Sequence, residues 1–425
     1  MKNFGRRYFL KEIKSGAVAS LSLGFLYHST FAAQVSSSSQ KSKEKIAVEG
    51  VRTLTHEFGH IRHRAVVFNA DGTRLGSTIE DPLRRVAVDL NGINASGIAT
   101  KFRVSGKEPF VALWDVESGR LVASIGRQVA PIYAIAFSPD GSQIVSGGAE
   151  RYEPRDPIAL KRIGNGQLGP VGGQSFLTVN RGGIIRILDI ATGGDVGRFT
   201  LRDFPIFAIS WGPQAIVAID NHSILTTETP GRPDQFRKIA SVEGTIQGLY
   251  GPEAYRFSAD GLRAAAISDE VKNVGKVVKT WDVLRGRGHE YPSQSGFILA
   301  LAMSPDGDVI ATSDDVGVVS LRTFAKLLPI RVLTPSEPKP ASSLAFNADG
   351  SRLISATPGG VVTQWDVHTG RRLRASHGPA GMVKAVVFMR DIVRLAIVKV
   401  NSAAVVGKNG IDGTETLLIW DVPAG

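Results

Sequence analysis

The sequence predicts an all-β fold, a seven-bladed β-propeller of four-stranded antiparallel blades. A motif that joins an apolar strand to a tight turn recurs seven times, with anchors at Phe68, Phe137, Trp211, Phe257, Met303, Phe346 and Phe388. Successive anchors are 69, 74, 46, 46, 43 and 42 residues apart. The last four spacings match one four-stranded blade, which takes about 40 to 45 residues.

The residue types explain why this repeat should form strands and turns. The apolar runs, such as residues 132–137 and 383–388, are rich in β-branched, aromatic and small side chains and are too short for helices. We therefore predict strands that are buried on both faces. Five of the turns contain Asp-Gly after Pro or Ala, and a residue that tolerates positive φ lets the chain reverse into the next strand.

A second motif, Trp-Asp-Val, closes a later strand in several repeats. It starts at Trp114, Trp281, Trp365 and Trp420, with a weakened copy at Leu188. With the Ser-Pro-Asp-Gly turns, it makes the chain resemble the WD-repeat β-propeller family over about residues 45–425. The resemblance implies a ring of seven four-stranded sheets that usually serves as a binding platform and seldom as an enzyme. It also implies that the acids following the Trp or its substitute serve the fold: Asp115, Asp189, Asp282, Asp366 and Asp421.

The two ends of the repeat region predict how the ring closes. The last blade stops at residues 420–425, which leaves no sequence for its outermost strand. Residues 45–54 have strand character and belong to no complete blade. We predict that this N-terminal strand pairs into the last blade, which would protect an otherwise open sheet edge.

The N-terminus resembles a twin-arginine export signal. The matching residues are Arg6, Arg7, Phe9, Leu10 and Lys11, and an apolar stretch at residues 16–31 follows them. We predict a signal peptide at residues 1–33, cleaved after Ala32 or Ala33, then a flexible linker at 34–44 and the propeller at 45–425. The alternative is an uncleaved anchor, but the stretch falls short of the ~20 apolar residues that span a bilayer. The expected location is periplasmic or secreted, with no transmembrane segment after signal removal.

Composition limits the cofactors and partners. The 425 residues contain no cysteine, which excludes thiolate-bound iron–sulfur clusters, Cys-x-x-Cys-His haem attachment and disulfides. We predict no cofactor. The formal net charge is +11; the signal contributes five basic residues and one acid, so the mature chain is near +7. This excess favours a protein partner or an anionic envelope component. No basic run with interleaved aromatics indicates nucleic acid, and we expect a monomer.

One motif indicates an enzyme, His56-Glu57-Phe58-Gly59-His60. On a helix, two His four residues apart can hold Zn²⁺ while the Glu activates water. The residue order of the motif resembles the signature of matrix-type metalloproteases. In its longer form, that signature continues with a Gly and a third His. This chain has His63 and Val66 at those two positions. The motif also falls in a short connection between two predicted strands, where a propeller repeat places its Gly-His pair. We expect a structural loop, with a zinc site at His56 and His60 as the minor alternative.

The first two spacings between anchors, 69 and 74 residues, are longer than one blade. They mark the parts of the chain that differ most from the repeat. The corresponding insertions lie near residues 81–109 and 150–174, and loops on a rigid scaffold are where binding residues concentrate. The candidate binding residues are Arg84, Arg85, Arg151, Tyr152, Arg155, Lys161 and Arg162. The alternative is decoration without a partner, including an extra hairpin made by residues 84–90 and 100–104.

The sequence therefore predicts an exported, non-catalytic propeller that binds a protein or an envelope ligand. It assigns no catalytic, cofactor or metal residue. The alternative belongs to another functional class. It is a periplasmic propeller enzyme, either a hydrolase or a quinone-type dehydrogenase that uses the central channel. A third possibility is structural attachment to the cell wall.

Overall fold

The structure is a computed structural model that describes most of the repeat region. It covers residues 51–54, 61–81, 85–88, 102–154, 160–162, 168–170, 178–201, 204–220, 223–227, 236–241, 255–269, 276–283, 285–292, 297–334, 339–388, 392–400, 405–407, 410–412 and 415–423. All of them belong to one compact unit, Ala47–Gly425. None of the residues in these ranges lies in a helix.

The described residues form short strands along the whole unit. In chain order they are β1 (Val51–Thr53), β2 (Arg62–Phe68), β3 (Arg74–Glu80), β4 (Arg85–Val88), β5 (Phe102–Ser105), β6 (Phe110–Asp115), β7 (Leu121–Ile125), β8 (Ile132–Phe137), β9 (Gln143–Pro154), β10 (Leu160–Arg162), β11 (Leu168–Pro170), β12 (Thr178–Asp189), β13 (Asp195–Leu201), β14 (Ala208–Trp211), β15 (Ile216–Ile219), β16 (Ser223–Thr226), β17 (Arg237–Ser241), β18 (Tyr255–Phe257), β19 (Arg263–Asp269), β20 (Lys276–Asp282), β21 (Arg287–Pro292), β22 (Ile298–Met303), β23 (Val309–Asp314), β24 (Val319–Thr323), β25 (Pro329–Leu333), β26 (Ser343–Phe346), β27 (Arg352–Ala356), β28 (Val361–Asp366), β29 (Arg372–His377), β30 (Met382–Phe388), β31 (Ile392–Val400), β32 (Val405–Gly407), β33 (Gly410–Asp412) and β34 (Glu415–Pro423).

Seven four-stranded antiparallel sheets form the blades. From blade one to blade seven their strand orders are β2-β3-β6-β7, β8-β9-β12-β13, β14-β15-β16-β17, β18-β19-β20-β21, β22-β23-β24-β25, β26-β27-β28-β29 and β30-β31-β34-β1. First strands of neighbouring blades contact each other, as β30 does with β2 and β2 with β8. These strands therefore lie at the centre of the ring. The predicted seven-bladed all-β fold is confirmed.

The hydrophobic core lies between neighbouring blades. One cluster joins Val111 and Leu113 of blade one to Ile132 and Ile144 of blade two. The middle strands are the most buried, and all four residues of β15 are buried. The predicted two-sided burial holds less well for β30, where Val383 is the one buried residue among the side chains that the structure describes. Stacking of blades on one another therefore supplies most of the apolar burial.

The Asp-Gly turns have the predicted geometry. Their glycines have φ between 70° and 76° and are Gly72, Gly141, Gly261, Gly307 and Gly350. In each turn the Asp carboxylate accepts a hydrogen bond from the backbone N–H two residues later, as Asp71 does from Thr73 at 2.8 Å. Such a short polar side chain mimics a backbone turn and fixes its direction.

The acids of the Trp-Asp pairs also fix turns, as the sequence indicated. Asp115 accepts from the Ser118 N–H at 2.8 Å, and Asp189, Asp282 and Asp366 make the same bond three residues ahead. Hydrogen bonds from Ser118 lower the pKa of Asp115 below its usual value. The buried indole of Trp365 donates to the Ser355 hydroxyl at 2.9 Å. These groups hold the strands of a blade in register.

Blade seven is completed by the N-terminal strand, as predicted. Val51, Arg52 and Thr53 of β1 pair with Trp420, Ile419 and Leu418 of β34. The Leu54 N–H then donates to the Leu417 carbonyl at 2.9 Å. The rest of the predicted strand, residues 45–50, lies outside the described residues. The ring is thus closed by hydrogen bonds between two segments far apart in sequence.

A network of charges reinforces this closure at the seam between blades seven and one. Arg394 of β31 is 5% exposed and makes two parallel bonds to Asp421, at 2.7 and 2.9 Å. Its third nitrogen donates to the Gly72 carbonyl of blade one at 2.9 Å. Arg52 of β1 also pairs with Asp421 and with Glu117 of blade one. Asp421 therefore holds the two arginines that reach blade one, Arg394 through the Gly72 carbonyl and Arg52 through Glu117.

Candidate binding face

Three short hairpins stand outside the seven blades. They are β4 with β5, β10 with β11, and β32 with β33. Each lies in the connection between the second and third strands of its blade, in blades one, two and seven respectively. Blade seven is the neighbour of blade one across the closure, so the three hairpins belong to consecutive blades. We call these three hairpins together the hairpin face.

All three hairpins leave the ring at the same edge. In a four-stranded antiparallel blade, the connection between the second and third strands lies at the opposite end from the other two connections. The same connection is short in blades three, five and six, where it is residues 220–222, 315–318 and 357–360. The enlarged connections are therefore concentrated on one arc of one edge.

At the bases of the first two hairpins, described residues make backbone hydrogen bonds. At the base of the first, the Lys107 N–H donates to the Asp81 carboxylate at 3.0 Å. The second grows from a continuous ladder between β9 and β12, whose pairing runs from Gln143 with Asp189 to Pro154 with Thr178. A rigid ladder under a connection fixes where that connection is presented, which favours specific binding.

The third hairpin is anchored by Glu415 at the start of β34. The Glu415 carboxylate accepts from the His63 N–H of blade one at 2.7 Å. The His63 Nδ1 is 2.6 Å from the Ser77 hydroxyl, and burial raises the pKa of Glu415 above its usual value. A hydrolase would need an accessible serine, whereas Ser77 is 0% exposed. This group of acid, histidine and serine therefore joins two blades and supports the fold.

The structure places most of the predicted binding residues on this edge. Arg85 lies in β4, opposite Ser105. Arg151 and Tyr152 lie in the extension of β9, and Lys161 and Arg162 lie in β10. Arg84 and Arg155 lie outside the described residues. The backbone thus brings the two predicted insertions to adjacent blades, and the predicted hairpin in the first insertion is present. The binding role of these residues stays a prediction.

The third hairpin, in blade seven, is not among the insertions that the sequence predicts. Blade seven is the last blade, so no later anchor exists from which its length could be measured. A usable signal was the distance from the strand anchor to the Trp of the same blade. It is 32 residues from Phe388 to Trp420 but 19 from Phe346 to Trp365. The difference corresponds to an enlarged connection within the blade.

Of the zinc-like motif and the two later positions of its signature, the structure describes only His63 and Val66. Residues 56–60 lie outside the described residues. His63 lies inside strand β2, which begins at Arg62, and its side chain is 3% exposed. Within the described residues, no group of three His, Asp or Glu side chains could hold a metal ion. The same part of the chain has no helix long and apolar enough to cross a membrane.

Comparisons with known proteins agree with this architecture. Residues 119–152 match the family described as WD domain, G-beta repeat. A segment of 116 residues, 27% of the chain, is 29% identical to telomerase protein component 1 from Mus musculus, and it spans 4% of that protein. The chain is a seven-bladed β-propeller in which residues 119–152 are similar to a WD repeat.

Solved propellers are similar to nearly the whole chain. The β-propeller domain of Cps50 (Swd1) from Myceliophteria thermophila aligns with a TM-score of 0.51 and 13% identity, over 88% of this chain and 99% of that one. The structures of U3-55K and of the RRP9 WD40 repeats each align with a TM-score of 0.53 and 14% identity, over 88% of this chain and 98% of theirs. At this identity the likeness describes the fold.

Proposed function

We propose that this protein is an exported, non-catalytic binding platform that recognises a protein partner through the hairpin face. The observation that carries the proposal is the concentration of three enlarged connections on consecutive blades at one edge of the ring. Decoration without a role would have no reason to be confined to one arc. Rigid scaffolds typically present binding residues on such connections.

The chemistry of the hairpin face favours an acidic partner. Arg85, Arg151, Lys161 and Arg162 all lie on backbone at this edge. Tyr152 adds a large amphipathic side chain of the kind enriched in interfaces. An acidic protein surface is the partner we favour, and an anionic envelope component is the second possibility. Electrostatic steering of such a partner would weaken as salt is added.

Export is supported by the N-terminal sequence. Arg6, Arg7, Phe9, Leu10 and Lys11 form a twin-arginine pattern ahead of an apolar stretch. The absence of cysteine from the whole chain means that the fold would need no disulfide after export. We propose a periplasmic or secreted location. Fractionation of cells that express the full chain, compared with Arg6→Lys/Arg7→Lys, would show retention of the variant precursor in the cytoplasm if the proposal is correct.

Affinity capture from native envelope extract tests the platform directly. The test bait replaces residues 155–177 by an Asn-Gly turn, which keeps the β9–β12 ladder and removes the second hairpin. The control bait replaces residues 357–360, the same connection of blade six, by an Asn-Gly turn. Both baits must first show the far-UV spectrum and unfolding transition of the intact protein.

The proposal expects a partner retained by the intact protein and the control bait and lost by the test bait. Direct binding of that purified partner, measured with Arg151→Glu and Lys161→Glu, should then weaken in both variants. Equal capture by all baits would contradict the hairpin face as the binding surface. Metal or a coloured cofactor in the purified protein would favour the enzyme alternative.

A further inference from the structure

The outer strands of blades five and six carry a concentration of exposed apolar side chains. Among the described residues, eight large apolar side chains are exposed, and four of them lie in or directly before β25 and β29: Leu328, Ile330, Val332 and Leu373. Each of the four is between 45% and 57% exposed. Exposed apolar groups that cluster, unlike scattered ones, mark surfaces that contact a partner or a membrane. We call residues 328–332 and 371–374 the rim patch.

Part of this pattern belongs to the repeat. In blades one, two, five and six, the pairing of the third strand with the fourth contains a bulge that passes over one residue of the outer strand. The residues passed over are Val122, Val196, Ile330 and Leu373, and all four are exposed. A bulge re-aims a side chain, so one outward apolar side chain in each of these blades is a consequence of the repeat.

Blade five enlarges this single position into a patch. Leu328 and Val332 lie two residues before and after Ile330, and both are exposed as well. At the corresponding positions blade one has Arg120 and Ser124, and blade two has Gly194 and Arg198. The repeat therefore does not account for the additional apolar residues of blade five.

The two outer strands form one surface. Gly370, in the turn before β29, lies against the Arg331 side chain of β25, and a Cβ at position 370 would overlap the Arg331 methylenes. Leu373 follows three residues after Gly370, so it lies within about 10 Å of this contact. The exposed leucine of blade six is therefore continuous with the apolar residues of blade five.

The charged residues that accompany the rim patch in sequence are all basic. Residues 322–334 and 370–378 contain six lysines or arginines and no aspartate or glutamate. Lys326, Arg331, Arg371 and Arg374 are exposed. Long basic side chains lay their methylenes along apolar surface and keep the charge in water. At a membrane, such cations are attracted to anionic headgroups. Apolar groups flanked by cations complement a bilayer that has an apolar interior and a negative surface.

We propose that the rim patch docks on the surface of an anionic lipid bilayer. The four apolar side chains enter the boundary between headgroups and acyl chains, and the exposed cations contact the headgroup phosphates. The rim patch lies on blades five and six, whereas the hairpin face lies on blades seven, one and two. Failure of the rim patch to bind lipid would leave the proposed platform function untouched.

Site-specific fluorescence tests this docking, because a chain without cysteine can be labelled at one introduced thiol. Full-chain Ile330→Cys and Leu373→Cys each receive an environment-sensitive dye and are mixed with vesicles of equimolar phosphatidylglycerol and phosphatidylcholine. The matched control is Val196→Cys, at the residue passed over in blade two. A local readout is needed because the apolar stretch at residues 16–31 could hold the chain on vesicles by itself.

A blue shift of the dye emission at residues 330 and 373, and none at residue 196, is the expected result. Vesicles of phosphatidylcholine alone should give a smaller shift. In the Ile330→Cys protein, Leu328→Ser/Val332→Ser should reduce the shift, and so should Arg371→Gln/Arg374→Gln. The charge control, Arg120→Gln/Arg198→Gln on the outer sides of blades one and two, should leave it unchanged.

Two outcomes would overturn the proposal with anionic vesicles: no shift at residues 330 and 373, or an equal shift at residue 196. A shift that appears without vesicles as the protein concentration rises would also overturn it, because a second copy of the chain would then cover the rim patch. Each variant must first unfold like the wild-type protein, so that a lost shift reports the surface and not the fold.

Discussion

Two arginine–aspartate pairs of the same ring lie in opposite environments. Between blades seven and one, Arg394 is buried and its nitrogens are bonded to Asp421 and to the Gly72 carbonyl. In blade four, Arg285 pairs with Asp282 at 2.6 Å, and the Arg285 side chain is 73% exposed. Both aspartates follow a Trp at the end of a strand, so the repeat alone does not produce this difference.

The difference shows where a charge pair is structural in this molecule and where it contributes little. A buried guanidinium is tolerated only when its donors are satisfied, and removal of one partner leaves a costly unpaired charge. An exposed pair carries no such penalty, because solvent compensates its charges. The pair at the closing seam therefore stabilises the ring, whereas the pair in blade four adds little.

Removal of the closing strand should have the largest effect on stability. Deletion of residues 51–54 removes the outer strand of blade seven, the buried Leu54 side chain and the Arg52 pair with Asp421. We expect the free energy of unfolding to fall by at least about 4 kcal/mol, measured by urea denaturation. Deletion of residues 34–44 should change it little. Similar losses in both deletions would contradict closure by β1.

Loss of the buried arginine should be the next largest effect. Arg394→Gln leaves Asp421 without its bidentate partner, and we expect a loss of about 3 to 5 kcal/mol. The matched control is Arg285→Gln, which also removes the arginine partner of a Trp-Asp aspartate, Asp282, but at a side chain that is 73% exposed. That variant should lose no more than about 1 kcal/mol. Equal losses would mean that burial of the pair is unimportant.

A smaller, pH-dependent effect is expected at Glu415. Burial raises the pKa of its carboxyl above the ordinary value of 4.5, so the folded protein stays protonated there after the unfolded chain has ionised. Wild-type stability should therefore fall, relative to Glu415→Gln, as pH rises from 4.5 through the raised pKa. The difference in free energy of unfolding between the two proteins, measured across pH, isolates this group. A constant difference would contradict the raised pKa.

Much of the fold could be predicted because it repeats. Anchor spacings gave the number of blades, Asp-Gly pairs gave the turns, and the unfinished last blade gave the pairing of residues 51–53. The role of Arg394 could not be predicted, because it depends on how blades seven and one meet, which no single repeat encodes.

Thermal unfolding of Arg394→Gln, Arg285→Gln and the wild-type protein tests the structural role of the closing seam most directly. Arg394→Gln should unfold at a clearly lower temperature than wild type, because Asp421 loses its buried bidentate partner. Arg285→Gln should unfold close to wild type, because its pair with Asp282 is exposed. Equal shifts in both variants would contradict the account.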